Sequence, residues 1–269
     1  SSCMAALHLS YLHLGIGPGD EVIVPAQTHV ATVHAVELTG ATPVFIDCEL
    51  KTGNIDISRL ENAINNKTKA IGIVHFVGIP LVMSDVMTIA NKYNLKVIED
   101  CALAVGARYD GRHVGLFGEA GCFSFYPVKH ITSGEGGMFV SQYDNVVKKV
   151  ANFRAFSVDR THMERSIPGV YDVTDVGMNY RMSEMQAALG RTQTKKLPEI
   201  LEKRSANFEA LKSELKNVDD VIVLDSSNSK SKNSHYCLIL ILIGSAAEKR
   251  NEIVLELKER KVGCSIYYP

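Results

Sequence analysis

The residue with the clearest chemical potential is Lys129, which lies in a turn between two apolar, strand-like runs. The first run, residues 121–125 (GCFSF), is broken by Tyr126 and Pro127, and the second, residues 138–141 (MFVS), follows a glycine-rich turn. A lysine ordinarily keeps its ammonium group in water, so a surface turn residue is the first interpretation. The second is a lysine whose amine is desolvated by the flanking strands, so that its pKa falls and the neutral amine can attack a carbonyl group.

Hydrogen-bond donors suited to a phosphate group accompany this lysine. Ser124 stands five residues before Lys129, and the amides around Ser133 and Gly134 lie in the glycine-rich turn. Such turns bind phosphate through their backbone N–H groups. A carbonyl-reactive lysine beside phosphate donors is the arrangement expected of a pyridoxal-phosphate site.

The same residues resemble a known family. The run FSFYPVKH at residues 123–130, with the GEGG turn after it, resembles the DegT-type (DegT/StrS) sugar aminotransferases, pyridoxal-phosphate enzymes of the aspartate-aminotransferase fold that aminate keto sugars carried on nucleotides. Six further segments share the resemblance and extend it over essentially the whole chain: residues 2–9 (SCMAALHL), 15–25 (GIGPGDEVIVP), 40–47 (GATPVFID), 97–102 (VIEDCA), 177–182 (GMNYRM) and 266–269 (IYYP).

The resemblance implies an α/β fold with a three-layer, mostly parallel sheet of the pyridoxal-phosphate-dependent transferase (fold type I) kind, followed by the beginning of a smaller C-terminal α+β domain. Residues 1–182 are expected to form the large cofactor-binding domain, and residues 183–269 the long connecting helix and the start of the small domain. Compared with the family, a leading segment and much of the trailing domain are expected to be missing, so the sequence is predicted to be a fragment.

Two residues are expected to carry the central chemistry. The resemblance makes Lys129 the lysine that holds the cofactor as a Schiff base and then moves a proton between substrate and cofactor. Asp100 closes an apolar run, where a lone buried carboxylate is unfavourable unless it is paired. The resemblance assigns to Asp100 an ion pair with the pyridine nitrogen of the cofactor, and the alternative is the N-cap of a following helix.

The phosphate group of the cofactor is expected to contact two parts of the chain. Ser124 resembles the phosphate-binding serine of the family, and the alternative is a strand serine whose hydroxyl is satisfied elsewhere. The amides of Cys3 and Met4, at the start of the first helix, match a second phosphate contact, because a helix N-terminus favours anions. The family usually has threonine where Met4 stands, so a hydroxyl contact is lost while the backbone donors remain.

Two further positions concern the ring of the cofactor. His29 occupies the place of the aromatic residue that stacks on the ring, and the alternative is a solvated loop histidine. Leu103 stands where many family members have glutamine or histidine in contact with the phenolic oxygen of the cofactor. Leucine cannot form that hydrogen bond, so another donor, or none, must take its place.

Asn179 matches an asparagine that the family contributes to the phosphate group across a dimer interface. The resemblance therefore implies a homodimer with composite active sites. The alternative is an ordinary turn asparagine, which is common near glycine.

The elements that must position these residues alternate along the first hundred residues. Short apolar strands are predicted at 21–25, 43–47, 70–75 and 96–100, and helices at 4–14, 28–38, 57–64 and 85–93. This alternation is typical of a parallel sheet covered by helices on both faces. Ligands collect at the carboxyl ends of such strands, so the predicted site comprises residues 25–29, Asp47, 75–76, 100–103 and 124–129.

The last third of the chain is predicted to start a second domain. A long helical tract from residue 183 to about residue 216 contains Pro198, where a break is expected. After a polar segment, residues 225–234, we expect a fully buried strand at 235–243, a helix at 246–260 and a strand at 262–267, in a βαβ-like arrangement.

The amino-acid composition limits the classes of partner that the protein can be expected to bind. The chain has 269 residues and a formal net charge of −1, which gives no electrostatic reason to expect nucleic acid or an anionic membrane as a partner. Its six cysteines are scattered without CxxC pairs, which indicates reduced thiols of a cytoplasmic protein and argues against a metal site. The most apolar run, residues 236–243, is shorter than the ~20 residues that span a bilayer.

The sequence therefore predicts an aminotransferase. An amino acid donor, glutamate by resemblance, gives its amino group to the cofactor, and the keto group of a nucleotide-linked deoxysugar then receives it. One alternative is a sugar dehydratase of the same family that uses pyridoxamine phosphate and has histidine where this chain has Lys129, although His130 is adjacent. Another is a non-catalytic, cofactor-binding regulator, which only Leu103 and Met4 favour. A plain nucleotide-binding module would need a G-x-G-x-x-G motif directly after a strand, and the glycines at 15 and 17 follow a helix.

Overall fold

The computed structural model describes residues 1–159, 162–226 and 228–268. The strands in these residues are β1 (Glu21–Pro25), β2 (Thr42–Ile46), β3 (Thr68–Val74), β4 (Lys96–Asp100), β5 (Arg108–Tyr109), β6 (Arg112–His113), β7 (Ala120–Ser124), β8 (Gly137–Val140), β9 (Val221–Val223), β10 (Ser231–Lys232) and β11 (Leu240–Leu242). The helices are α1 (Cys3–His13), α2 (Val30–Glu37), α3 (Leu60–Ala63), α4 (Met83–Lys92), α5 (Asp144–Phe153), α6 (Glu184–Glu214), α7 (Gly244–Glu248) and α8 (Arg250–Glu259).

Six of the described strands form the central sheet, in the order β2-β1-β3-β4-β7-β8. The first five run parallel, and β8 is antiparallel to β7. The inner strands β1, β3, β4 and β7 are buried along nearly their whole length, because helices cover both faces. The arrangement confirms the prediction of a mostly parallel α/β sheet.

The two faces of the sheet bury separate apolar clusters. On one face, α1 and α2 pack around Tyr11 against Ile98 of β4. On the other face, α3 and α4 pack against Val97. Because successive side chains of a strand point to opposite faces, Asp100 lies on the α1 side and Glu99 on the α4 side.

Local sequence sets both ends of α1, whose N-terminus reaches the edge of the sheet. The Ser2 hydroxyl caps the helix by accepting the N–H of Ala5 at 3.1 Å. Gly15 ends it with φ = +70°, a left-handed conformation that glycine adopts without steric penalty, and donates its N–H to the carbonyl of Leu12 at 3.0 Å.

The buried carboxylate of Glu99 joins three segments on the α4 side. Its Oε1 accepts the N–H groups of Phe117 and Gly118, both at 2.7 Å. Its Oε2 accepts the N–H of Gly115 at 2.6 Å and lies 3.0 Å from Nε2 of His75. Both side chains of the Glu99–His75 pair are fully buried. The carboxylate thus fixes the loop before β7 and the end of β3 relative to β4.

His75, Glu99 and Cys101 lie close enough together to resemble a metal cluster. However, Nδ1 of His75 accepts the N–H of Leu81 at 3.2 Å, so the ring proton lies on Nε2 and is donated to Glu99. Both ring nitrogens are therefore used within the protein, and the cluster acts as a structural clamp.

Most predicted element boundaries in the first part of the chain are within two residues of the observed ones. The strands at 21–25 and 96–100 match fully. The predicted helix at 57–64 is a 3₁₀ turn, Ile57–Arg59, followed by the short α3.

The predicted break at Pro198 is wrong, because α6 continues through it. Proline cannot donate a hydrogen bond to the carbonyl of Thr194, one turn earlier. Both residues are exposed, so water can satisfy that carbonyl and the helix continues. None of the described helices is long and apolar enough to cross a lipid bilayer.

The predicted βαβ unit at the C-terminal end is also wrong. Only β11 forms within residues 235–243, it is partly exposed, and it pairs with β9, an antiparallel strand that the sequence pattern did not reveal. The reason is that the preceding backbone is already engaged, since Ser234 and Tyr236 donate their N–H groups to Gly78 and Val77. Residues 246–260 form two helices, α7 and α8, and residues 262–267 form no strand.

Replacing Glu99 with glutamine should lower the free energy of unfolding by about 3 kcal/mol. The glutamine side chain has no charge, and its NH₂ group would face a backbone N–H group that now donates to the carboxylate. Urea unfolding followed by circular dichroism measures the change.

The matched control is Glu61→Gln, which removes an exposed ion pair with Lys92 and should change stability by less than about 1 kcal/mol. Equal effects of the two substitutions would contradict the structural role of Glu99.

Candidate active site

The predicted site residues collect at one edge of the sheet. The parallel strands β4 and β7 end there with Asp100 and Ser124, and the turn between β7 and β8 carries Lys129. The N-terminus of α1 reaches the same edge, because the thiol of Cys3 lies 3.8 Å from Oδ1 of Asp100. The carboxyl ends of the strands thus form the site, as the sequence pattern predicts.

Asp100 is a buried carboxylate with three donors. Its Oδ2 accepts the hydroxyl of Thr32 at 2.8 Å, and its Oδ1 accepts the N–H of Ala102 at 2.9 Å and faces the Cys3 thiol. Turns rather than a helix follow it, so the alternative role as a helix N-cap is excluded. These protein donors hold the carboxyl group in place at the end of β4.

Lys129 lies partly buried beside an aromatic ring. Its Nζ is 5.2 Å from the centroid of the Tyr236 ring. Burial lowers the pKa of the Lys129 amine, and the nearby Asp100 carboxylate opposes that decrease. The amine therefore loses its proton more readily than that of a lysine in water, as nucleophilic attack requires.

The N-terminus of α1 and the end of β7 form a cradle of donors. Within the described residues, no hydrogen bond uses the N–H groups of Cys3 or Met4. Gly137 pairs with Ser124 across the sheet. A Cβ atom at Gly137 would lie 2.1 Å from the carbonyl carbon of Ser2, so only glycine lets β8 approach the helix this closely.

The buried hydroxyl of Ser124 completes the cradle. It accepts the N–H of Tyr126 at 3.4 Å, which leaves its proton for another acceptor. Free amides at a helix N-terminus and a free hydroxyl suit a phosphate dianion. With a desolvated amine and a buried carboxylate nearby, these residues fit pyridoxal phosphate.

His29 has a role that the sequence did not reveal. Its Nδ1 accepts the N–H of Ala31 at 3.1 Å and so caps α2. Its exposed ring approaches the Tyr268 ring edge-on, with 6.0 Å between the centroids. Stacking on a cofactor stays a prediction.

Leu103 is buried in an apolar cluster with Phe76 and Leu224. Its carbonyl accepts the hydroxyl of Ser234 at 3.3 Å. The side chain therefore packs in the apolar interior next to the loop that follows β4.

Asn179 lies on an exposed segment anchored to the end of α5. Phe156 donates its N–H to the carbonyl of Met178, and Tyr180 donates to Arg154. No hydrogen bond among the described residues joins Asn179 to Lys129 or the other predicted site residues.

Ser234 was missed by sequence reasoning, although it holds three loops of the site together. Its N–H donates to the carbonyl of Gly78 at 3.0 Å, its hydroxyl donates to Leu103, and its carbonyl lies 2.9 Å from Nε2 of His130. It stands in a polar segment that reads as a loop, and no local signal marks a serine whose partners are far away in the sequence.

His130, next to Lys129, is buried and donates its Nε2 proton to Ser234, while its Nδ1 has no hydrogen-bond partner in the described structure. Burial lowers the pKa of His130 to about 4, since the charged imidazolium would lose its hydration. The imidazole is therefore neutral near pH 7.

Comparison with known families and proteins agrees with this geometry. The family model described as the DegT/DnrJ/EryC1/StrS aminotransferase family matches residues 1–269. The GDP-perosamine synthase of Escherichia coli O157:H7 is 37% identical over 274 residues, which cover 100% of this chain and 71% of that protein. The UDP-N-acetyl-3-dehydro-alpha-D-glucosamine 3-aminotransferase of Acidithiobacillus ferrooxidans is 43% identical over 189 residues, which cover 70% of this chain and 49% of that protein.

A solved structure is similar along the whole chain. A Streptococcus pneumoniae protein described as a sugar aminotransferase has, in its PMP form, a TM-score of 0.93 at 27% identity, covering 100% of this chain and 73% of that chain. Its PLP form has a TM-score of 0.91. The central sheet and its helices thus have the architecture of a cofactor-binding transferase.

Lowering the pH should destabilise the protein through His130. An unfolded histidine titrates near 6.5, so between about pH 6.5 and pH 4 the unfolded chain binds a proton that the folded chain does not. Stability is full above this window and falls as the pH decreases through it, by about 2 kcal/mol from pH 7 to pH 5 for this residue.

His130→Gln keeps a donor for Ser234 and does not titrate, so its stability should fall less than that of the wild type between pH 7 and pH 5. Urea unfolding at the two pH values measures the difference. The same pH dependence in both proteins would show that His130 does not titrate as described.

Proposed function

The chain belongs to the DegT/DnrJ/EryC1/StrS aminotransferase family and is a pyridoxal-phosphate-dependent aminotransferase, and from this premise we propose that it moves an amino group from an amino acid to a keto group of a nucleotide-linked sugar. The observation that carries the proposal is the partly desolvated Lys129 near the buried carboxylate of Asp100. When bound, the cofactor supplies a carbonyl group that receives the amino group and a ring that takes up the electrons of the broken C–H bond.

In this proposal Lys129 has two tasks. Its neutral amine would hold the cofactor at its carbonyl carbon, with the carbonyl oxygen lost as water. When the amine is free, Nζ would hold and move the proton at the substrate carbon that bears the nitrogen. Desolvation favours both tasks, because an amine that stays protonated can neither attack nor accept a proton.

The other proposed contacts hold the cofactor at its two ends. Asp100 faces the pyridine nitrogen and favours its protonated form by charge pairing. Ser124 and the amides of Cys3 and Met4 bind the phosphate group. His29 covers the cofactor ring, and the ring of Tyr268 lies edge-on to the ring of His29.

The names of two relatives support the proposed class of substrate. One relative is named as a GDP-perosamine synthase and another as an aminotransferase of a UDP-linked 3-keto sugar. A nucleotide-linked keto sugar, a deoxysugar among the candidates, is therefore the proposed acceptor, with glutamate as the donor. We place the reaction in the cytoplasm, because all six cysteines are free thiols, as expected in a reducing compartment.

A homodimer with shared sites is part of the proposal. Asn179 is exposed, and several large apolar side chains close to it in the sequence are exposed as well: Met163, Ile167, Val173, Val176, Met185 and Leu189. Exposed apolar side chains in such number favour a protein interface in this part of the chain. A second copy covering this surface would bring Asn179 to the phosphate group of the neighbouring site.

The alternative sugar dehydratase requires histidine in place of the lysine. His130 does not take that place, because its ring is buried and its Nε2 proton is donated to Ser234. Lys129 is the residue whose amine lies near Asp100, which favours the aminotransferase.

Lys129→Ala should lower the turnover number by a factor on the order of 10⁴, because it removes both the amine and the proton carrier. Borohydride should attach the cofactor covalently to the wild-type chain at Lys129 and leave this variant unlabelled, which mass spectrometry of peptides detects. The exposed Lys92 provides the control variant, Lys92→Ala, which should be labelled normally.

Glutamate alone should give about one equivalent of 2-oxoglutarate per site in the wild type, and a panel of keto sugar nucleotides then identifies the acceptor. Labelling that persists in Lys129→Ala, or glutamate that is left unchanged, would refute the proposed function.

Mixed subunits test the composite site. Lys129→Ala and Asn179→Ala chains should each be inactive or weak, and random mixing after gentle unfolding should restore roughly a quarter of the wild-type rate, since one site of each mixed dimer is then intact. Sedimentation velocity confirms the dimer. An absence of recovery in a verified mixed dimer would place both residues in one chain.

A further inference from the structure

We propose that Thr32 is a positioning residue that holds the Asp100 carboxylate in its orientation, at the end of a relay of two hydroxyl groups that starts at Thr28. The inference rests on the proposed function, in which Asp100 faces the ring nitrogen of the cofactor. It adds a determinant of cofactor protonation that lies on α2 and touches neither cofactor nor substrate.

The relay has a defined direction. Oγ1 of Thr32 lies 2.8 Å from Oδ2 of Asp100, and Oγ1 of Thr28 lies 2.8 Å from Oγ1 of Thr32. An ionised carboxylate can only accept hydrogen bonds, so Thr32 must donate its single hydroxyl proton to Asp100. Its oxygen then accepts the proton of Thr28. Each donation strengthens the next, because a hydroxyl that accepts a hydrogen bond becomes a better donor.

The position of Thr32 in the helix favours its contact with Asp100. Its side chain is fully buried in the first turn of α2. A helical threonine often donates its hydroxyl to a backbone carbonyl one turn earlier, but here the hydroxyl leaves the helix and reaches the end of β4. A buried hydroxyl without a partner is unfavourable, so Thr32 and Asp100 fix each other's position.

The two carboxylate oxygens of Asp100 differ in the number of hydrogen-bond donors that face them. Oδ1 has the N–H of Ala102 and the thiol of Cys3. Oδ2 accepts a hydrogen bond only from Thr32 among the described residues. Removing the Thr32 hydroxyl therefore leaves one oxygen without a protein donor in a buried site, so the carboxylate loses the contact that fixes its orientation.

The surroundings of Asp100 supply few competing charges. The titratable groups near it on the packed elements are Cys3 and Tyr11 of α1, Glu99 of β4, Cys101 directly after β4, Cys122 of β7, Lys129 of the turn, and Tyr268. Burial raises the pKa of each of these thiols and phenols, that of Tyr268 to about 12, so they are neutral near pH 8. Glu99 points to the opposite face and is held by its own donors. Lys129 and the hydroxyl relay are therefore the groups on this face of the sheet that interact most strongly with Asp100.

The test is the protonation of the ring nitrogen, read by the ¹⁵N chemical shift of labelled pyridoxal phosphate bound to the protein between pH 7 and pH 9. Thr32→Val has nearly the same shape without the hydroxyl, and Thr32→Ser retains the hydroxyl. Thr39→Val removes another hydroxyl at the end of α2, one that donates to the carbonyl of Val36 outside the site, and is the matched control.

We expect the wild type, Thr32→Ser and Thr39→Val to show a protonated ring nitrogen over this range. Thr32→Val should shift toward the unprotonated value and should bind the cofactor about tenfold more weakly. Thr28→Val removes only the start of the relay and should give a smaller shift in the same direction. It also keeps the test decisive if Thr32→Val fails to fold, which unfolding of the cofactor-free proteins reveals.

Asp100→Asn distinguishes a failure of the hydroxyl relay from a failure of the proposed function. If this variant changes the ring-nitrogen shift and neither Thr32→Val nor Thr28→Val does, the relay is overturned while the proposed function stands. If Asp100→Asn has no effect, or borohydride does not attach the cofactor to Lys129, the proposed function itself fails.

Discussion

The structure depends on two adjacent carboxylates at the end of β4 that face opposite sides of the sheet. Glu99 is satisfied entirely by the protein, with three backbone N–H groups and His75 as donors. Asp100 accepts hydrogen bonds from Thr32 and Ala102 and still opens toward the site. A strand places consecutive side chains on opposite faces, so one carboxylate can fix the scaffold while its neighbour is available for chemistry.

The candidate site is assembled from segments that are far apart in the sequence. The turn with Lys129, the loops after β3 and β4, and residues 228–237 are connected through Ser234, whose three polar groups are all engaged. Desolvation of Lys129 follows from this assembly, because the ring of Tyr236 belongs to the same late segment that Ser234 anchors. The environment of the Lys129 amine thus depends on a segment more than a hundred residues away in sequence.

The clustering of the candidate-site residues could be predicted from sequence because its parts are local. A buried strand that ends in an aspartate, a serine at the end of a strand, and a lysine in a turn are all short patterns, and parallel strands bring their ends together without further information. The capping role of His29, the packing of Leu103 and the pairing of β9 with β11 could not be predicted. Each depends on which distant residue lies opposite, and the local pattern does not contain that information.

The sequence by itself determined the alternation of strands and helices, the mostly parallel sheet and the edge where Asp100, Ser124 and Lys129 meet, because apolar periodicity and turn residues act over a few positions. Tertiary structure alone decided the long-range hydrogen bonds that surround those residues. Thr32 reaches Asp100 across 68 positions and Ser234 reaches His130 across 104. Contacts of this length form only after the layers have packed, since burial is what makes an unpaired polar group unfavourable and thereby selects its partner.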